Sequence, residues 1–406
     1  MTMLDAETAV DFSDPDLYRG GGAERAWARA LALSPVHRVR RPAGDFWAVL
    51  GHQEIVAVLK DSAGYGSEQG MRLDHDPRAT AMSAGRMLIV TDPPRHGALR
   101  RIINSAFTPR MVHRLENTMR ATVADLLDRA IGDEPCEFTE IASWLPVSVI
   151  CDMLGVPRQD WAFMLDRTRT AFGAASEPAD PLAVAEAHVD LLSYYEELAA
   201  RRRREPGDDI VTALVKGRVD GVPLSDEEIY LNCDGLISGG NETTRHATVG
   251  GMLAFIDHPE QWDLLRQRPE LLGSAVQEIL RHSSPALHVL RTATAAGELA
   301  GQRIEPGEQV ALFLAAGNRD ERVFTDPDSF DITRFETATA SAKHLAFAQG
   351  AHFCLGAALA GKELEVMFSA LVQRVERAEA VAPPKRMRSN LIWGFESARL
   401  HLPPRR

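Results

Sequence analysis

The stretch FAQGAHFCLG, residues 347–356, places Cys354 two residues after His352 and between Gly350 and Gly356, directly ahead of the helical pattern LGAALAGKELEVMFSALVQRV at 355–375. A thiolate at the start of a helix is stabilised by the macrodipole and by unpaired backbone N–H groups, as an anionic sulfur ligand to a metal requires. The competing reading is a packed, inert thiol, because free cysteine behaves mostly as a small buried hydrophobe. A third reading makes Cys354 and His352 a nucleophile and its base. Against it, the two are only two residues apart and no orienting acid or oxyanion hole is in view. The four cysteines (Cys136, Cys151, Cys233, Cys354) form no CxxC pair and no zinc-like ladder, so any sulfur chemistry rests on one residue.

A second stretch carries polar groups where none would be expected. SDEEIYLNCDGLISGGNETTRHATVGGMLAFIDHP (225–259) reads as one long helix, opened by a capping box of Ser225 and Glu228 and closed ahead of Pro259. At 1.5 Å per residue it extends roughly 45 Å, enough to cross a domain of this size. A crossing helix should be apolar, yet the middle reads Gly239, Gly240, Asn241, Glu242, Thr243, Thr244. Each glycine inside a helix costs about 1 kcal/mol relative to alanine, and a buried Glu or Thr needs partners. Such violations gather at functional sites. Glycines let a large flat ligand approach the backbone, and a Thr hydroxyl bonded back to a carbonyl opens the helix locally. The same residues also fit a glycine-kinked surface helix with a solvated polar face.

The elements that must position these groups are mostly helical. HRLENTMRATVADLLDRAI (113–131), PLAVAEAHVDLLSYYEELAARRRR (181–204) and ELLGSAVQEILRHS (270–283) repeat apolar residues at three and four spacings. Strand signals are fewer. HRVRRPAGDFWAVL (37–50) and ELAGQRIEPGEQVALFL (298–314) read as hairpins around PAGD and EPGE turns. The run Arg201–Arg204 reads as the solvated, dipole-favoured end of its helix. The loops GAASEPADP (173–181), REPGDD (204–209) and GRVDGVPLSD (217–226) are too short for domain linkers, so residues 1–406 read as one mainly α domain with a small β portion.

Hydrophobic residues at 45% and charged residues at 25% are ordinary globular composition. The balance of 45 basic against 57 acidic residues, net −12, argues against a general affinity for nucleic acid. The N-terminal MTMLDAETAVDFSDPDLYRGGG lacks the basic start and apolar run of a signal peptide, and no apolar run approaches the ~20 residues of a membrane span. The expectation is a cytoplasmic protein without membrane attachment.

These residues together resemble the bacterial cytochrome P450 family, haem-thiolate monooxygenases, over essentially the whole chain. The family's loop Phe-Gly-x-Gly-x-His-x-Cys-x-Gly is matched by Phe347, Gly350, His352, Cys354 and Gly356, with Ala348 where the family usually has glycine. The middle of the long helix is similar to its oxygen-activation motif, with Gly239 and Gly240 on the haem face and Glu242 and Thr243 as the acid–alcohol pair; Gly239 replaces the commoner alanine. The family's Glu-x-x-Arg falls on Glu278 and Arg281, completed by Arg334 in FDITRF, a structural triad fixing the cysteine loop. On an isolated helix the same i, i+3 pair would be a weak surface pair.

In DPPRHGALRRIINSAFTPR (92–110), His96 and Arg100 are spaced i, i+4 and project from one face, suited to gripping carboxylates. The resemblance makes these the haem propionates and adds Arg291 and His352 to the grip. Five arginines and no acid lie between Arg95 and Leu115. Part of that patch reads as propionate binding and part as a docking surface for an acidic electron donor, or else as a solvated helix face.

What the resemblance implies is a triangular helical prism with small β-sheets, including one at 385–402, holding haem b between the long helix and the cysteine loop, with Cys354 as axial thiolate. Thr243, with Glu242 behind it, would hydrogen-bond dioxygen and relay protons. No flavin or nicotinamide fingerprint appears, so electrons would come from a ferredoxin and its NAD(P)H-dependent reductase. Substrate contacts by the same analogy are Ala286, Leu287, His288, Val289, Leu391 and Trp393, with 64–88 as a variable lid. His288, the polar member, either anchors a substrate oxygen or bonds backbone or a propionate. The reaction expected is hydroxylation or epoxidation of a secondary metabolite such as a polyketide, macrolide, terpenoid or carrier-linked peptide. The alternatives are an oxidase catalysing oxidative coupling, which an absent acid–alcohol pair would favour, and a non-catalytic haem protein, which would need an output domain.

Overall fold

The computed structural model describes residues 10–172, 180–337 and 343–405. Most of the loop read at 173–181, residues 173–179, lies outside the described residues.

The long helix is the axis of the molecule. It runs Asp226–Asp257, 32 residues, and its capping box is formed as expected: Ser225 accepts from the Glu228 N–H while the Glu228 carboxylate accepts from the Ser225 N–H. The helix is unbroken through the glycine pair 239–240, so the expected local opening is absent. Against it pack the helices Phe138–Leu154, Pro181–Arg204, Leu272–Ser283 and Ala357–Arg374. Near its C-terminal end Gly251 permits two of these approaches. A Cβ there would stand 2.7 Å from Ile279 and 2.8 Å from Phe368, so only glycine lets both neighbouring helices close on it. Around this axis the largest apolar cluster forms, with Val149, Ile237, Met252, Phe255, Ile279 and Phe368 buried in it.

A second region is built on a five-stranded sheet in the order Val36–Val39, Phe46–Val49, Gln309–Phe313, His288–Ala293, Tyr65–Gly66. The first two strands form the antiparallel hairpin expected at 37–50. The second hairpin is corrected. Gly297–Leu299 pairs with Gln302–Ile304 across Ala300 and Gly301, both at positive φ, whereas Gln309–Phe313 lies between His288–Ala293 (antiparallel) and Phe46–Val49 (parallel). The reason is burial: Val310, Ala311, Leu312 and Phe313 are all fully buried, so this strand needs a neighbour on both sides. The stretch read as a loop at 217–226 also contains a small hairpin, Arg218–Val219 with Val222–Pro223, whose Asp220–Gly221 turn takes two successive positive φ values. Short antiparallel pairs involving 379–380, 385–386, 395–397 and 399–401 make up the β portion near the C-terminus.

Two charge expectations change as well. Arg202 is not solvated: its Nε donates to Asp209 at 2.6 Å and its Nη2 to the Gly155 carbonyl at 3.0 Å, and Arg203 pairs with Asp226. Of the arginines between 95 and 115, Arg95 pairs with Glu228, Arg110 with Asp208 at 3.7 Å and Arg114 with Asp152 at 2.8 Å. Much of that patch is neutralised within the chain, which leaves Arg100 and Arg101 to face outward partners or ligands.

Glu278 and Arg281 are both fully buried, far from the surface pair their spacing alone would give. All five guanidinium N–H groups of Arg281 are used: Nε and Nη2 reach the Glu278 carboxylate at 2.7 and 2.8 Å, and the rest reach the carbonyls of Asn318, Pro327 and Ser329. Arg334 adds its Nε to Glu278 at 3.2 Å and its terminal nitrogens to the carbonyls of Thr325, Asp326 and Ser329. Asn318 carries the constraint onward, its Oδ1 accepting from Leu345 N–H at 2.7 Å at the entrance to the cysteine loop. Replacing Arg281 with Met leaves Glu278 charged and buried, and is expected to cost about 3–5 kcal/mol in denaturant unfolding. A loss below 1 kcal/mol would show that the pair does not hold this region together.

Candidate active site

A cavity of about 1040 Å³ lies between the long helix and the cysteine loop. One wall carries Gly239, Gly240, Glu242 and Thr243, and the other Phe347, His352, Cys354 and Gly356. Small-molecule sites run to ~300–1,000 Å³, so the space accommodates a prosthetic group and a substrate together.

The cysteine loop is held by its own backbone. Leu345 O accepts from Ala348 N at 2.8 Å, Phe347 O accepts from Cys354 N at 2.9 Å, and Gly350–His352 forms a single 3-10 turn. Gly350 has φ +73, and a Cβ there would fall 2.0 Å from the Leu59 carbonyl oxygen, so no other residue fits. Ala348 also takes a left-handed φ of 54, at the position where glycine was the expected residue. Gly356, by contrast, has φ −86 and open space beside it; it serves as the N-cap of Ala357–Arg374 rather than as a strained turn.

Cys354 is exposed to this cavity and precedes that helix. Burial pushes its thiol up, while the Gly356 N–H and the charge of Arg100 oppose the rise. The dipole expected to favour the thiolate is therefore outweighed by desolvation in the protein alone, and a cation bound at sulfur is what would draw the proton off. Among the described residues no group of three or more His, Cys, Asp or Glu side chains is placed to hold a metal ion. A metal at Cys354 must bring its remaining ligands with it.

Beside the sulfur stands a cluster of bases. The rings of His96 and His352 lie with centroids 4.1 Å apart, and His96 Nε2 is buried without a hydrogen-bond partner. Arg100 reaches the Ala351 carbonyl at 3.4 Å; Arg291 is buried and donates from Nη1 to the Leu290 carbonyl. Burial lowers Arg291 to about 10, opposed by Asp92. Burial, then the charges of Arg291, His96 and Arg100, lower His352 to about 3, and burial with Arg100 and Arg291 also lowers His96, against Asp92. Two guanidiniums and two imidazoles thus face one region, with the Asp92 carboxylate 4.0 Å from His352. Such a site fits carboxylates brought in by a ligand.

On the opposite wall Thr243 Oγ1 donates to the Gly239 carbonyl at 3.0 Å. A Cβ on Gly239 would meet nothing within 4 Å, so this position opens on the cavity; one on Gly240 would touch Ile150 at 3.7 Å. Glu242 is buried, ion-paired with Arg245 Nη2 at 2.9 Å and 3.4 Å from His246 Nε2. Burial raises its carboxyl, but His246 and Arg245 together outweigh that and hold it below its ordinary value. The sequence reading missed these two partners and also Glu363. That residue lines the cavity from Ala357–Arg374, buried and pushed up to about 8 by burial, with Oε2 unbonded. Its signal was a lone charge on the apolar face of the helix.

The substrate wall is corrected in two places. Ala286, His288, Val289 and Leu391 line the cavity, but Leu287 and Trp393 do not. Both are buried in a separate apolar cluster with Trp27 and Phe313, where Trp393 meets Trp27 edge-on at 5.2 Å and lies under Arg319 and Arg386. Leu287 packs instead beside Leu290, Ala311 and Phe313 in that cluster, away from the cavity that Ala286 and Val289 line. His288 has both ring nitrogens committed, accepting from Leu73 N–H at 3.0 Å and donating to the Asn390 carbonyl at 2.8 Å. Of its two readings, the backbone one holds. The 64–88 segment contributes Met71, Leu73, Ala79, Met87 and Leu88 to the cavity, as a covering lid would.

A left-handed alanine costs roughly 1–2 kcal/mol relative to a backbone free of Cβ. Ala348→Gly is therefore expected to raise the unfolding midpoint, stabilising the fold by up to about 1 kcal/mol after the added unfolded-state entropy of glycine. A fall in stability would mean that the Ala348 methyl packs more than it strains.

Comparison with known proteins agrees with this geometry. The family model described as Cytochrome P450 matches residues 186–399. Nocardicin C N-oxygenase of Nocardia uniformis subsp. tsuyamanensis is 37% identical, with 95% of this chain and 96% of that protein covered. Linalool 8-monooxygenase of Pseudomonas putida is 33% identical, with 97% and 99% covered. The crystal structure of P450 OxyD, described as involved in the biosynthesis of vancomycin-type antibiotics, matches with a TM-score of 0.89 at 34% identity, covering 98% of this chain and 100% of that one. With its thiol loop, its helical frame and full-length relatives of this kind, the chain belongs to the cytochrome P450 family, whose members use haem with a cysteine thiolate ligand.

Proposed function

We propose that this monooxygenase inserts one atom of dioxygen, as a hydroxyl or epoxide oxygen, into a mainly apolar secondary metabolite, with electrons from a ferredoxin and its NAD(P)H-dependent reductase. The observation that carries the reading is the single cavity with Cys354 on one wall, Thr243 and Glu242 on the other, and the His96, Arg100, Arg291 and His352 cluster beside it. Two relatives support the substrate class through their names, one acting on nocardicin C and one on linalool. Among the described residues no helix is long and apolar enough to cross a membrane.

Haem, when bound, supplies the iron that activates dioxygen once electrons arrive. Cys354 gives the sulfur ligand, its position set by the Phe347 carbonyl and the Gly350 turn. The four basic side chains take the propionate carboxylates, which meets the unbonded Nε2 of His96 and the buried charge of Arg291. Thr243 holds its hydroxyl proton on the Gly239 carbonyl and, by rotating, can present that proton to the cavity. Glu242, held ionised between Arg245 and His246, lines the same cavity and would be the acid behind Thr243 in the proton path. Their presence supports oxygen insertion over oxidative coupling. Apolar side chains such as Val149, Ile150, Val289 and Ile392 line the space and exclude water around the substrate.

The first test is the absorption spectrum of the purified protein, reduced with dithionite, before and after carbon monoxide. A strongly red-shifted Soret band establishes sulfur ligation; a band typical of histidine ligation removes Cys354 from the role. Thr243→Ala is expected to keep that band while product per NAD(P)H consumed falls on the order of 10²-fold and peroxide rises correspondingly. Unchanged coupling in this variant would take Thr243 out of the proton path.

A further inference from the structure

The cavity rim carries a cation, Arg72, that the reaction above does not use. Arg72 lines the cavity from an exposed position, and among the described residues its guanidinium has no hydrogen bond or ion pair. The backbone on either side of it is fixed. Met71 O accepts from Leu290 N at 2.9 Å, and Leu73 N donates to His288 Nε2 at 3.0 Å, so both flanking residues are tied to the strand His288–Ala293. The turn begins at Gly70, φ +122, and ends at Asp74, φ 55, whose carboxylate is taken by Arg41 at 2.6 Å. His288 therefore acts through the backbone: its two bonds hold the arch that presents Arg72.

Among the described residues no neighbouring charged side chain is paired with Arg72. Asp76 caps its own helix through Arg78 N–H at 2.9 Å, and Arg388, also on the cavity, is spent on Asp16 at 2.8 Å. His188 faces the same space from Pro181–Arg204 and bonds the Ala171 backbone. Burial lowers its pKa and the nearby Arg72 charge lowers it further, so His188 stands as a neutral imidazole and Arg72 carries the positive charge. What results is a guanidinium with no ion pair among the described residues, at the edge of a space walled by Met71, Met87, Val289 and Ile392.

We infer that Arg72 is a specificity determinant that receives the carboxylate of an amphipathic acid, so that the substrate's anionic end sits at the rim and its apolar body points towards Thr243. The inference rests on the monooxygenase reading of the cavity and narrows its substrate class. A planar guanidinium pairs with a carboxylate through two parallel hydrogen bonds, whereas an exposed cation over an apolar cavity has nothing to offer a neutral terpene. The helix N-terminus beside it is already capped by the Asp76 side chain, so the rim presents one fork, matched to a monoanion rather than to a phosphate dianion.

The test uses the haem-loaded protein, with dodecanoic acid and methyl dodecanoate as probes and isothermal titration as the readout. The acid is expected to bind about 10-fold more tightly than the ester, with an affinity that weakens as salt rises. Arg72→Gln should remove that advantage and its salt dependence while leaving the ester unchanged, and Arg72→Lys should restore part of it. Equal binding of acid and ester by the unsubstituted protein, binding of neither, or equal loss of both in Arg72→Gln would each overturn the assignment. The carbon monoxide spectrum of Arg72→Gln keeps the two questions apart, since a normal red-shifted band with no preference for the acid sinks the substrate class alone.

Discussion

The fully buried Glu278–Arg281 pair is the constraint on which the site depends. Two charges taken out of water are tolerated only when every lone pair and proton finds a partner. Arg281 therefore collects the carbonyls of Asn318, Pro327 and Ser329, and Glu278 collects Arg334 and the Asp331 N–H. Satisfying this one pair fixes the path of the chain from 318 to 334. Through Asn318 and Leu345 it fixes the entrance to the loop that carries Cys354. Net stability from such a pair is small, but its cost when incomplete is large, so it selects one arrangement of the loop over others.

The two walls of the cavity are built on opposite principles. The sulfur side is backbone geometry, a left-handed glycine and a left-handed alanine closing a tight loop. The Thr243 side is an intact helix whose buried acid is stabilised by side chains one turn further along, Arg245 and His246. A rigid turn suits a ligand atom that must stay in place. A hydroxyl bonded to its own helix carbonyl suits a group that has to rotate.

Charge around the cavity follows the same economy of pairing. Arg95, Arg114 and Arg388 are neutralised within the chain. The basic groups left over stand where a carboxylate-bearing molecule would complete them: the guanidiniums of Arg100 and Arg291 and the imidazoles of His96 and His352 beside the sulfur, and Arg72 at the rim. Buried or rim charge without an internal partner is what distinguishes binding groups from structural ones in this fold.

Local patterns made much of this legible from the sequence. The capping box of Ser225 and Glu228, the helix Pro181–Arg204 and the backbone bond from Cys354 N to Phe347 O each depend on interactions within a few residues, and such signals survive in one dimension. The motif residues lining the cavity were found for the same reason. Only the tertiary structure decided which charges are buried and with whom. Glu278 and Arg334 are 56 positions apart, Leu73 and His288 are 215 apart, and nothing local announces either pairing. It also decided that Gln309–Phe313 sits between two strands instead of folding back on its neighbour, and that Trp393 packs under arginines instead of facing substrate. Burial and pairing are properties of what the rest of the chain brings to a residue, and the sequence around that residue does not contain them.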